Sequence, residues 1–109
     1  MSLPTESDIS AALRYMAETD EQGAKLAAHV KALEHQAKTI KGLAFLDATG
    51  ATMAEKEAEA VSSSAYRAWI EDYENAVADS ETIKAKRKRA ELTVEVWRSI
   101  NANQRRGNV

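Results

Sequence analysis

At 109 residues the chain is one domain at most, and a formal net charge of −2 marks neither a general nucleic-acid binder nor an extreme acidic tail. The absence of cysteine excludes disulfides and thiolate metal sites, and no apolar run approaches the roughly 20 residues needed to span a bilayer. With four glycines and one proline (Pro4) as its only strong punctuation, a chain rich in Ala, Glu, Lys, Leu and Arg must be built from few, long helices.

Thr5 to Asp8 opens like an N-cap, with acidic residues in the first turn where the helix dipole favours them. A first helix over about 5–48 follows, interrupted by nothing stronger than Gly23; Thr19, three residues before Gln22, marks a place for a kink near 19–23. Leu26, Val30, Leu33, Ala37, Ile40 and Ala44 alternate at spacings of four and three, the a/d pattern of a heptad seam, and Ile9, Ala12 and Met16 fit the same frame upstream.

The run from Asp47 to Thr52 is the turn, with Gly50 placed to supply a left-handed residue and Thr52 with Glu55 to form a capping box. A short helix over 53–61 then meets Ser62, Ser63 and Ser64, which can end it and cap the next one. The last helix, about 65–105, carries Tyr66, Trp69, Tyr73, Ala76, Ser80 and Ile83 on one stripe, continued by Ala90, Val94 and Trp97, with Gly107 as its stop. Two long helices of matching length joined by a compact connector predict an all-α fold, a long antiparallel helical hairpin with coiled-coil character. A bare helix pair encloses no third layer, so self-association into a homo-oligomer is expected to complete it.

Catalytic chemistry finds little to stand on. His29 and His35 are six residues apart and diverge on a helix, whereas a metal pair needs a spacing of three or four. Glu55, Glu57 and Glu59 are first read as surface acids that compensate a helix dipole, and the serine triplet has neither a Ser-His-Asp context nor nucleophile-elbow glycines. No glycine-rich phosphate loop is present. The expectation is a non-enzymatic protein with no metal site, no cofactor and no membrane segment. No basic stretch followed by an apolar one opens the chain, which leads us to expect the cytoplasm of a bacterial cell.

Charge is more informative. From Ile83 onward eight cations, Lys84, Lys86, Arg87, Lys88, Arg89, Arg98, Arg105 and Arg106, face only Glu91 and Glu95, a formal +6 that leaves −8 on the first 82 residues. Together with Asn101, Asn103 and Gln104 this end is suited to tracking a phosphate backbone, and Trp97 beside Arg98 offers a stacking surface for an unpaired base. Trp97 also lies on the heptad stripe, which assigns it first to packing, as it does Tyr66, Trp69 and Tyr73. The basic run has two blander readings: a solvated helix face, or contacts with the acidic half of a neighbouring chain that set the register of an oligomer.

The order of elements resembles phage recombination mediators of the UvsY type. The matching text is Leu46-Asp47 before the glycine turn, then Glu55 to Tyr73, then Trp97-Arg98-Ser99 and Arg105-Arg106. The ending from Glu95 to Asn108 is similar to that of small proteins of tailed phages and prophages encoded near recombination genes. The chain is shorter and richer in alanine than the type member, and its connector lacks that protein's longer loop. The resemblance implies a helical oligomer that binds single-stranded DNA and helps load a recombinase in place of single-strand-binding protein, either of which would be its protein partner. Lys84 to Arg89, Arg98, Arg105 and Arg106 would then carry the phosphate contacts. The alternative is a structural, adaptor or assembly protein whose charged hairpin contacts other proteins.

Overall fold

In a computed structural model that describes residues 3–107, three helices follow one another: α1 (Glu6–Leu46), α2 (Met53–Val61) and α3 (Ser64–Gly107). Each begins where the sequence offers a cap. Thr5 and Asp8 exchange bonds, the Thr5 N–H donating to Asp8 Oδ2 at 2.8 Å and the Asp8 N–H to Thr5 Oγ1 at 3.2 Å. Thr52 Oγ1 accepts the Glu55 N–H at 3.1 Å to start α2. Ser63 Oγ accepts the Tyr66 N–H at 3.2 Å and donates to the Ala60 carbonyl at 2.7 Å, so one hydroxyl serves both the end of α2 and the start of α3.

Two readings of the backbone are corrected. Helix α1 does not restart near Thr19, because that hydroxyl donates to the Tyr15 carbonyl one turn back, at 2.6 Å, instead of capping a new first turn. Gly50 is not a left-handed residue, since no described glycine has positive φ. It is needed for lack of bulk: a Cβ there would lie 2.7 Å from Glu55 Cβ. Glu55 is held close because its Oε2 accepts the Ala51 N–H at 2.7 Å, while Glu59 Oε2 accepts the Thr49 N–H at 2.8 Å. Two carboxylates of α2 thus accept two N–H groups of the connector that precedes it, while Asp47 and Ala48 donate back to carbonyls of α1.

The heptad spacing is unbroken. It runs from Ile9 to Ala44 through Thr19 and Gly23, and from Tyr66 to Asn101 through Arg87, and every position on both stripes is buried or half-buried. The chain is accordingly all-α, a long antiparallel helical hairpin with α2 as its connector. It divides into two compact units, residues 25–80 and residues 3–24 with 81–107, each holding a stretch of α1 against a stretch of α3.

In the first of these units Leu33 is buried, and the Trp69 indole N–H donates to its carbonyl at 2.8 Å. Ala76 and Ser80 are buried small residues, and α2 anchors through the completely buried Ala60. In the second unit Ile9, Ala12, Ala90 and Val94 form a buried cluster with Tyr15, Met16 and Trp97 packed against it. Among the described residues no large side chain is fully buried. One stripe per helix therefore shields its own floor while leaving the flanks of the seam in water.

Replacing Leu33 by Ala is expected to lower unfolding free energy by about 2–3 kcal/mol in urea titrations followed by circular dichroism. The glycines should separate in the same assay. Gly50→Ala must displace Glu55 and should cost about 1–3 kcal/mol. Gly42→Ala, in an exposed stretch of α1 where a Cβ meets nothing within 4 Å, should add about 0.5–1 kcal/mol.

Candidate functional site

The eight cations of α3 do not form one surface. Helix periodicity, at about 3.5 residues per turn along the seam, sorts them into three directions. Arg87 falls on the seam itself, midway between Ile83 and Ala90. Lys84, Lys88, Arg98 and Arg105 lie on one flank, and Lys86 and Arg89 on the other. Arg106 lies on the outer side of the last turn.

Arg87 is removed from any free basic face by its bonds. Its Nη1 donates to the Met16 carbonyl and to Thr19 Oγ1, both at 2.8 Å, and its Nη2 reaches Asp20 Oδ1 at 3.2 Å. The side chain is only 25% exposed. Gly23 lies beside it without being required by it: a Cβ there would meet Arg87 Cδ at 3.6 Å, an ordinary packing distance. A charged residue can occupy a seam here because a main-chain carbonyl, a hydroxyl and a carboxylate all face it from α1.

Lys84 and Lys88 make exposed i,i+3 pairs with Glu81 and Glu91, at 3.4 and 3.6 Å. Such pairs are worth little in water and yield readily to another anion. Lys86, Arg89, Arg98, Arg105 and Arg106 have no ion pair among the described residues. After Glu95 no acid follows, so the last turns of α3 present Arg98, Arg105 and Arg106 with the exposed amides of Asn103 and Gln104. Part of the charge on the final arginines also offsets the carbonyl end of the helix dipole.

Folding lowers the charge contrast that the sequence displays. The unit made of residues 3–24 and 81–107 sets Arg14 and the eight α3 cations against Glu6, Asp8, Glu18, Asp20, Glu21, Glu81, Glu91 and Glu95, a formal +1. Most of the cations left without an ion pair among the described residues of this unit stand on the outer sides of α3, with Arg14 exposed on α1.

The aromatic rings are engaged. Trp97 is half-buried against the Ile9–Val94 cluster. Trp69 stacks on Tyr73 with centroids 5.2 Å apart and planes at 11°, and lies 5.5 Å from Tyr66 in a tilted arrangement. Tyr73 donates its hydroxyl to Glu34 Oε1 at 2.9 Å. That bond above all, then partial burial and the charge of the carboxylate, holds the Tyr73 hydroxyl above the ordinary phenol range.

A groove of about 770 Å³ lies between α1 and α3 beside the second cluster, lined by Leu3, Ala11, Tyr15, Leu92 and Val96 with Lys86 and Arg89 on its edge. Its apolar residues escaped the sequence reading because they sit off the seam. The only signal was the appearance of Leu92 and Val96 at outward positions of a helix otherwise polar there. Both histidines are exposed, and among the described residues no three His, Asp or Glu side chains are placed to hold a metal ion. No helix in that range is long and apolar enough to cross a membrane.

Truncating Arg87 to Ala should lower stability by about 1–3 kcal/mol, because Met16, Thr19 and Asp20 lose a shared charged donor. Lys88→Ala should move it by less than about 0.5 kcal/mol. Thermal melts of the two variants side by side check the assignment.

Searches with protein-family models, among curated proteins and among solved structures find no match to this chain. No relative lends the site a function.

Proposed function

We propose that the protein is a non-enzymatic, self-associating accessory factor that binds single-stranded DNA through the outer flank and end of α3, assisting phage recombination or replication. The observation that carries this reading is the run of arginines after Glu95: Arg98 and Arg105 share a flank, Arg106 follows, no acid comes after them in the chain, and none of the three has an ion pair among the described residues. A seven-residue spacing places Arg98 and Arg105 about 10 Å apart along the helix, so the two can meet different, non-adjacent phosphates of one strand. Lys84 and Lys88 extend the same flank once phosphate displaces their glutamates. Trp97 contributes by packing, which fixes the rotation of this part of α3, more than by stacking on a base. The resemblance to UvsY-type mediators supports the same reading and names the partner class, a recombinase or a single-strand-binding protein.

The second reading is an adaptor or assembly protein that contacts other proteins. It draws on the unfilled flanks of the hairpin, where Leu3, Leu92 and Val96 stand exposed beside two unpaired cations.

Fluorescence anisotropy with a labelled single-stranded oligonucleotide, at low and moderate salt and with a duplex control, separates the two. Binding to the single strand is expected to weaken steeply with salt, and Arg98→Ala with Arg105→Ala and Arg106→Ala should flatten the salt slope by about three phosphate contacts. No binding at low salt would leave the adaptor reading.

A further inference from the structure

Exposed apolar residues on this hairpin are gathered in two places of opposite charge. Of the large apolar side chains that stand exposed among the described residues, all but Leu13 fall into one of two groups. Leu3, Leu92 and Val96 belong to the groove between α1 and α3, whose edge carries Lys86 and Arg89 without ion pairs. The one acid lining that groove, Asp8, is engaged by the Thr5 N–H at 2.8 Å. Leu43 and Leu46 in the last turn of α1 and Met53 at the start of α2 flank the turn between them, with Val61 closing α2; Leu46 is 78% and Met53 73% exposed. That segment holds Asp47, Glu55, Glu57 and Glu59 against the single cation Lys56, a formal −3. Lys56 itself is drawn back over the Phe45 ring, 6.0 Å from its centroid.

We infer that the basic apolar groove is the seat for the acidic apolar α1–α2 turn of a second copy of this chain. Burying Leu46 and Met53 over Tyr15, Leu92 and Val96 removes exposed apolar surface from both partners, which is the dominant favourable term in association. Lys86 and Arg89 then meet Asp47 and Glu57, and the sign of the charges sets the orientation of approach. Glu57 is available at small cost, since its existing partner Lys41 is a distant 3.9 Å away and both are exposed enough to be screened. The groove offers its own cations no acid besides the engaged Asp8, so a groove-to-groove pairing would leave Lys86 and Arg89 without a counter-charge. A contact of two different patches is heterologous, and it propagates from copy to copy into a ring or a filament.

This interface rests on the self-association in the reading above and not on its DNA binding. The phosphate flank, Arg98 and Arg105, lies on the opposite side of α3 from Lys86 and Arg89, so each can be disabled alone.

The test is sedimentation velocity of the full chain over a range of concentrations, with circular dichroism confirming the helix content of each variant. The groove variant carries Lys86→Glu and Arg89→Glu. The turn variant carries Asp47→Ser, Leu46→Ser and Met53→Ser, all at exposed positions. The parent is expected to form a concentration-dependent series, and each variant alone to sediment as the 12.0 kDa monomer. Mixed in equal amounts, the variants should give a single species of twice that mass, because one intact groove and one intact turn remain to pair. A monomeric parent, a groove variant that still assembles, or a mixture that stays monomeric overturns the proposal. So does a turn variant that assembles like the parent, which would place a different surface in the groove. Triple loss of Arg98, Arg105 and Arg106 should leave assembly unchanged while removing DNA binding, so failure of one reading is told from failure of the other.

Discussion

A helix with one apolar stripe can hide that stripe from water only by laying it against a second one, and this chain has just two long helices with which to do so. The seam between α1 and α3 follows from that constraint, and so do its weaknesses. Knobs alternate at three and four residues along both helices, and small residues such as Ala12, Ala76, Ser80 and Ala90 allow close approach. What they cannot provide is a lid. Positions beside the seam stay wet, and burial is spread thinly over many residues instead of concentrated in a few large ones.

The seam tolerates polar groups where they are bonded across it. Arg87 reaches a carbonyl and a hydroxyl on α1, Trp69 gives its N–H to the Leu33 carbonyl, and Tyr73 gives its hydroxyl to Glu34. The side-chain partners Thr19, Asp20 and Glu34 stand at one height only. A slip of one heptad would take Arg87 away from its hydroxyl and carboxylate and leave a guanidinium poorly paired in the seam, which is costlier than losing contact area. An interface of leucines and alanines alone would be more permissive. Polar cross-links therefore set register in a hairpin whose apolar pattern repeats too regularly to do so.

The same economy governs the connector. Six residues separate α1 from α2, and two of their N–H groups, those of Thr49 and Ala51, find partners in Glu59 and Glu55, which reach back from α2. Acids that look like ordinary dipole compensation in sequence become structural acceptors once the chain turns. A cluster of carboxylates is held at the turn, next to leucines that nothing covers, while unpaired cations collect on α3. Function in such a molecule is a matter of surfaces, and the arginines after Glu95 and the groove beside Lys86 are two different ones.

Helix periodicity, capping residues and the absence of strand and cysteine signals were enough to derive the hairpin from the sequence, because each depends on neighbours within a few positions along the chain. The seam was legible too, down to Leu33 and Trp97. Arg87 and Gly23 lay in its frame at readable spacings, but a charge and a glycine announce a surface and a break unless the opposing helix is known. The place of Arg87 depends on Met16 and Thr19, some seventy residues away along the chain, and Gly23 simply continues the helix beside it. Gly50 was misassigned for a similar reason: its place is decided by Glu55 folding back, not by the local preference for left-handed backbone. The pairing of Arg87 with Asp20 likewise appears only when α1 and α3 lie side by side. Local chemistry thus determined which helices form and which lysines of α3 meet an acid one turn away, and tertiary contact decided that Arg87 is taken into the seam.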